Sequence, residues 1–209
     1  QEMSRGLGDV YKRQKVQATL GVEPTPGAHL GDSMDLGDDL KATIRTVPDF
    51  PIDGIQFRDI TPVLSDPVLM GKVIDSFEEH AREHAPTCVA GPEARGFIFG
   101  PLLAMRLNVP FVPIRKPGKL PHKTVSVSYS LEYGTNELQM HEDALGPGDR
   151  AILVDDLLAT GGTVEAAASL ISKAGAETVA ALFLIELEGL EGRARLGSIP
   201  THSLVELPA

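Results

Sequence analysis

An α/β fold on a mostly parallel central sheet, flanked by helices, is what the residue pattern of this chain predicts. Three observations carry the prediction. Ala151-Ile152-Leu153-Val154 is apolar without alternation, the pattern of a strand covered on both faces. Strand-like runs at 87–90, 109–114, 151–154 and 178–185 are separated mostly by helical stretches at 96–107 and 164–173, the order of βαβ units. Two of those strands pass through glycine-bearing loops, 91–96 and 159–163, directly into a helix.

Residues 1–33 are rich in glycine, polar and charged residues and keep neither a helical nor a strand period. Asp9–Gln14 resembles the translation of a transposon-end adapter, so the expectation is a non-native or disordered extension over 1–33 and a native start at Met34. The domain then covers 34–209. Leu36–Thr46 reads as a helix, ended by the prolines of Val47–Pro51. Pro67–Glu83 reads as a second helix. Thr87–Ala90 is the first core strand, Gly96–Leu107 its crossover helix and Val109–Ile114 the next strand. Residues 115–123 form a proline-broken loop carrying Arg115, Lys116, Lys119 and Lys123 with no acid among them. Thr124–His141 holds two β-like stretches around Glu132–Asn136, a hairpin or flap inserted between core strands. The strand at 151–154, the helix at 164–173 and the strand at 178–185 complete the order.

The formal charge of −10 argues against general affinity for nucleic acid. An acidic protein that binds a polyanion must gather positive potential locally, and 115–123 is where this chain does so. No apolar run reaches the length of a membrane span. The single cysteine, Cys88, rules out an internal disulfide framework and sits in an apolar run, so the expectation is a buried thiol in a reducing cytoplasm. His80-Ala81-Arg82-Glu83-His84 matches a zinc-protease string. Pro86 ends that segment at once, and the expectation is a solvated helix end.

The loop after the strand at 151–154 carries the chemistry. Glycines let the backbone close on a phosphate, and a helix start offers N–H groups and the positive end of a dipole. Asp155 and Asp156 cannot hold that phosphate, so they point to hydroxyls or a metal beside it. A sugar phosphate fits all of these parts.

Asp155–Thr163 (Asp-Asp-Leu-Leu-Ala-Thr-Gly-Gly-Thr), Arg115–Pro121 and the string Tyr129-Ser130-Leu131-Glu132-Tyr133-Gly134 together resemble the type I phosphoribosyltransferases, in their adenine-using branch. The resemblance runs from about Leu36 to near the carboxyl end. It implies that fold, with a small base-binding hood, a flexible flap and a homodimer. The implied reaction joins adenine to 5-phosphoribosyl-1-pyrophosphate (PRPP), giving AMP and pyrophosphate. Carried over by residue, Asp155 and Asp156 take the ribose hydroxyls, while Ala159, Thr160, Gly161, Gly162 and Thr163 wrap the 5′-phosphate. Glu93, Ala94 and Arg95, with a cis peptide at Glu93–Ala94, bind the pyrophosphate together with Arg115, Lys116 and Lys119. Gln56, Phe57, Arg58 and Leu187 surround the adenine, and Glu132 is the catalytic acid/base. Mg²⁺ is expected to be held by substrate oxygens, with no direct side-chain ligand. Gln56 departs from the aliphatic residue usual at its position, which leaves base selectivity open. A phosphoribosyltransferase for another purine, or a PRPP-sensing regulator without catalysis, are the alternatives.

Overall fold

The computed structural model describes residues 35–130 and 135–209, and residues 34–209 make up one compact unit. Its centre is a sheet of five strands: β3 (Cys88–Pro92), β4 (Phe111–Ile114), β7 (Arg150–Leu158), β8 (Glu177–Glu188) and β9 (Thr201–Pro208). They lie in the order β4-β3-β7-β8-β9, and every neighbouring pair is parallel. Two antiparallel pairs flank it, the short hood strands β1 (Arg45–Pro48) and β2 (Gln56–Asp59), and the hairpin β5 (Thr124–Ser130) and β6 (Thr135–His141).

Helices cover both faces, as a sheet without a solvated side requires. On one face α1 (Leu36–Thr43), α2 (Thr61–Leu64), α3 (Pro67–Arg82) and α4 (Gly96–Leu107) bury Leu40, Val63, Val73, Phe77, Phe99 and Leu103 against Ile152, Val154, Leu182 and Leu184. Phe77 and Phe99 meet edge to face with centroids 6.0 Å apart. On the other face α5 (Gly162–Lys173) and the β5–β6 hairpin close over Ala151, Leu153 and Phe183 with Leu170, Ile171, Leu138 and Met140. A short helix α6 (Gly192–Arg195) lies between β8 and β9. α3 starts where its sequence directs: the Asp66 carboxylate accepts the N–H groups of Val68 and Leu69, and Pro67 fills the first helical position.

Several boundaries differ from expectation. The first helix stops at Thr43 rather than Thr46, because Ile44 turns extended (ψ 125°) and Arg45–Pro48 pairs with the hood strand. β8 runs to Glu188, and β9 was not expected at all; its opening Thr-His-Ser lacks the apolar run that marks the other core strands. β7 continues through Leu158, so Asp155 and Asp156 lie inside the strand instead of just beyond it. The long β8 provides the reason, pairing Asp155 with Phe183 and Leu157 with Ile185, so the ladder holds whatever side chains it carries.

That placement poses a geometric problem, since consecutive residues of a strand point to opposite faces. Ile152 and Val154 pack into the first core cluster and Ala151 and Leu153 into the second, as alternation demands. Beyond the acids the pattern is reversed: Leu157 packs against the first cluster and Leu158 belongs to the second. The alternation therefore slips by one residue across Asp155-Asp156, where the Asp156 N–H donates to Asp155 Oδ1 (2.9 Å). The slip lets both carboxylates reach one cleft.

Candidate active site

β3 leads through α4 to β4 on one side of itself, whereas β7 lies on its other side. Between β3 and β7 the winding reverses, and ligands of open α/β sheets bind at the carboxyl ends of strands around such a point. A cleft of about 1260 Å³ opens there. Glu93, Ala94 and Arg95 line it from the end of β3, Asp155 and Asp156 from β7, and the loop 159–163 with the start of α5 closes its far end.

The loop has the form an anion needs. Gly161 adopts φ +81°, and a methyl on it would lie 2.5 Å from the Gly192 carbonyl oxygen, so two backbones touch where any side chain would part them. Gly192 in turn packs so closely on the Ala159 carbonyl that it too admits no side chain. No side chain caps α5, which leaves its first-turn amides and dipole to a ligand. Tyr129 of β5 covers the outer side, its hydroxyl 3.4 Å from Thr163 Oγ1.

The two carboxylates are crowded and desolvated where they stand. Burial pushes the Asp155 pKa well up, and the neighbouring Asp156 charge adds to it. Burial also raises Asp156, opposed by Arg95, whose Nε lies 2.6 Å from Asp156 Oδ2. Two hydroxyls donating to such a pair would relieve both desolvation and repulsion.

Arg95 belongs to more than one part of the site. Its guanidinium also lies over the Phe57 ring, 5.6 Å from the centroid, so it joins strand β2 to Asp156. The peptide Glu93–Ala94 is cis. Glu93 serves as a clasp: Arg115 Nε donates to its Oε2 (2.7 Å) and the Lys116 N–H to its Oε1 (3.0 Å). Burial would raise the Glu93 pKa, but these two donors outweigh it and hold the group below the usual carboxylate value.

Some expected site residues are turned elsewhere. Arg115, expected on pyrophosphate, spends its guanidinium on Glu93 and on the Lys119 carbonyl (3.1 Å). Lys116 and Lys119 are exposed and do not line the cleft. Arg58, expected beside the purine, donates to the Pro208 carbonyl (2.6 Å) and to the Thr46 hydroxyl, tying β2 to the last strand. Phe57 meets Phe50 edge to face at 5.1 Å, while Gln56 opens the same strand. Leu187 packs against the first core cluster near the end of β8. Glu132 lies outside the described residues. The helix ends at Arg82 with Arg82 and Glu83 exposed, as expected, but His80 is half-buried: it stacks on His202 with centroids 3.4 Å apart and meets the Ser76 carbonyl through Nδ1 (2.8 Å). Cys88 is buried, and desolvation pushes its thiol up to about 11.

Ile55, Tyr129, Glu165, Leu190 and Arg195 are among the cleft-lining residues that the sequence did not single out. Of these, Tyr129 alone stands in a marked stretch, as the first residue of the flap string. Arg195 sits in an unremarkable Gly-Arg-Ala-Arg string, and only the fold brings it to the cleft.

Residues 64–196 match the family model described as "Phosphoribosyl transferase domain". An adenine phosphoribosyltransferase of Myxococcus xanthus is 56% identical over 159 residues, covering 76% of this chain and 86% of that relative. The crystal structure of adenine phosphoribosyltransferase from Thermoanaerobacter pseudethanolicus matches with TM-score 0.79 at 47% identity, over 81% of this chain and 99% of that one. The Saccharomyces cerevisiae enzyme, solved with adenine and an imino-altritol bisphosphate, matches with TM-score 0.77 at 38% identity, over 81% and 98%.

Proposed function

The chain belongs to the adenine phosphoribosyltransferases, a branch of the phosphoribosyltransferase family, and from that premise we propose how its cleft performs the transfer. The protein moves the 5-phosphoribosyl group of PRPP to adenine, giving AMP and pyrophosphate in purine salvage. The observation that carries the reading is the shared wall of the cleft, where a tensed carboxylate pair and an uncapped glycine loop face one cavity.

Asp155 and Asp156 accept the ribose hydroxyls, and the 159–163 loop takes the 5′-phosphate on its amides and on the hydroxyls of Thr160 and Thr163. Breaking the C1′–O bond builds positive charge on the ribose and negative charge on the departing pyrophosphate. When Asp156 turns to the diol, the Arg95 guanidinium is released toward that leaving group, a charged donor at the site of developing charge. The Glu93 clasp anchors the basic loop, whose exposed Lys116 and Lys119 would reach the pyrophosphate from outside the cleft wall. The Phe57 ring, backed by Phe50 and Arg95, supports a stacked base, with Gln56 contributing backbone and Leu187 the opposite face. Glu132 handles the purine N7 proton while N9 attacks, a contribution of roughly 10²–10⁴-fold.

Mg²⁺ fits this chemistry. The Asp155 and Asp156 oxygens at the cleft are hard donors that would hold it through water or substrate oxygens, and the bound ion would supply charge neutralisation for the leaving group. A homodimer is part of the proposal, supported by the stripe of Ile98, Leu102 and Met105 along α4, of which Leu102 and Met105 are 41% and 79% exposed. Sedimentation reads that mass directly. A cytoplasmic location accords with the single buried thiol, and cell fractionation checks it.

Incubation with PRPP, Mg²⁺ and each purine base tests the function. Adenine is expected to give AMP, and guanine and hypoxanthine essentially none. Product from guanine in preference to adenine would reverse the base assignment, and PRPP binding with no product from any base would favour a sensor.

A further inference from the structure

We propose that Arg195 is a further 5′-phosphate-binding residue, its guanidinium both neutralising Glu165 and completing the positive side of the phosphate loop. The inference rests on the reading of the cleft as a PRPP site.

The charges around the cleft call for it. Among the described residues lining it, Glu93, Asp155, Asp156 and Glu165 are acids, whereas Arg95 and Arg195 are the cations. Glu93 is satisfied by the basic loop, and Arg95 serves Asp156 at the ribose and base end. At the phosphate end stands Glu165, in the first turn of α5. A carboxylate there favours the helix dipole but opposes a phosphate arriving at the same amides. Arg195 Nη1 lies 3.2 Å from Glu165 Oε2. The same atom would be 3.9 Å from a methyl placed on Gly162, so the cation hangs over the loop as well as over the acid.

The position is fixed by the backbone. α6 begins at Gly192, the residue that interlocks with Gly161 and Ala159. Arg193 secures the other side of that turn, donating to Glu186 and to the Thr201 carbonyl. The turn that carries Arg195 is thus bolted to the loop it serves. Among the described residues lining the cleft, Arg195 is the cation beside Glu165 that could give a dianionic phosphate a charge-assisted partner.

Both side chains are half exposed, and an exposed pair adds little to stability. Arg195→Ala should therefore fold with its melting temperature nearly unchanged, and the effect can be read in kinetics. Its KM for PRPP is expected to rise about tenfold, the loss of one charged contact, with kcat and the KM for adenine held. Arg195→Lys should keep most of the affinity. Adding Glu165→Gln to Arg195→Ala should recover about threefold, since the uncompensated acid is removed. In calorimetry the alanine variant should bind AMP about tenfold more weakly and adenine as before. An unchanged KM for PRPP, or a fall in kcat alone, overturns the role of Arg195. Failure of the wild-type chain to bind PRPP or AMP overturns the reading of the cleft itself.

Discussion

At the scale of single residues, the site uses charge that the fold alone would avoid. Asp155 and Asp156 share a buried corner with one guanidinium between them and the hood. Because burial and the Asp156 charge raise the pKa of Asp155, the folded protein holds a proton that the unfolded chain gives up. Stability from this group is therefore present below the ordinary carboxylate range and lost as pH rises through the raised value. Asp155→Asn should accordingly melt higher than the wild type at pH 8, by about 2–4 °C for each 1 kcal/mol of repulsion removed. The gap should close toward pH 4, and PRPP affinity should fall. Melting curves at the two pH values check the sign. A variant that melts lower than wild type at pH 8 would show that the fold itself satisfies the carboxylate.

At the scale of elements, the loop proposed for the 5′-phosphate is one half of a backbone joint. Ala159–Gly161 and Gly192 meet with no room for a Cβ on either glycine. Gly192→Ala should displace the Ala159 carbonyl, raising the KM for PRPP at least about tenfold while leaving adenine binding intact. A KM within twofold of wild type would show that the joint can yield. The two halves were unequally legible. The loop announced itself because apolar strand, acids and Thr-Gly-Gly-Thr stand together in sequence. Its partner is about thirty residues on, in a turn whose string says nothing of contact, so Gly192 and Arg195 emerge only from topology. The same limit explains the strand lengths. Apolar runs locate β7 and β8, but ladder pairing across Asp155-Asp156 and out to Glu188 is set by the neighbouring strand. β9 is half-buried and opens on polar residues, so its period is weak by itself.

At the scale of the whole molecule, the first and last elements hold the base-binding end together. α1 packs beside β9, with the Leu204 carbonyl 3.5 Å from where a methyl on Gly37 would sit. Arg58 then donates from β2 to Pro208 at the end of β9, across 150 residues of sequence. The family resemblance places Arg58 beside the purine with Phe57, whereas the structure turns its guanidinium to the Pro208 carbonyl. Alternate residues of a strand face opposite ways, so neighbours on β2 need not serve the same ligand. Phe57 faces Arg95, while Arg58 faces the carboxyl-terminal strand. The hood is thus positioned by a strap rather than by the sheet it overhangs. Arg58→Ala should loosen the Phe57 platform and raise the KM for adenine severalfold, with the KM for PRPP nearly unchanged. Deleting Leu207–Ala209 removes the acceptor and should produce the same asymmetric change. Steady-state kinetics with each substrate varied in turn separates the cases. If Arg58 instead touches the purine, its substitution will weaken adenine while the deletion leaves adenine untouched, and the strap reading fails.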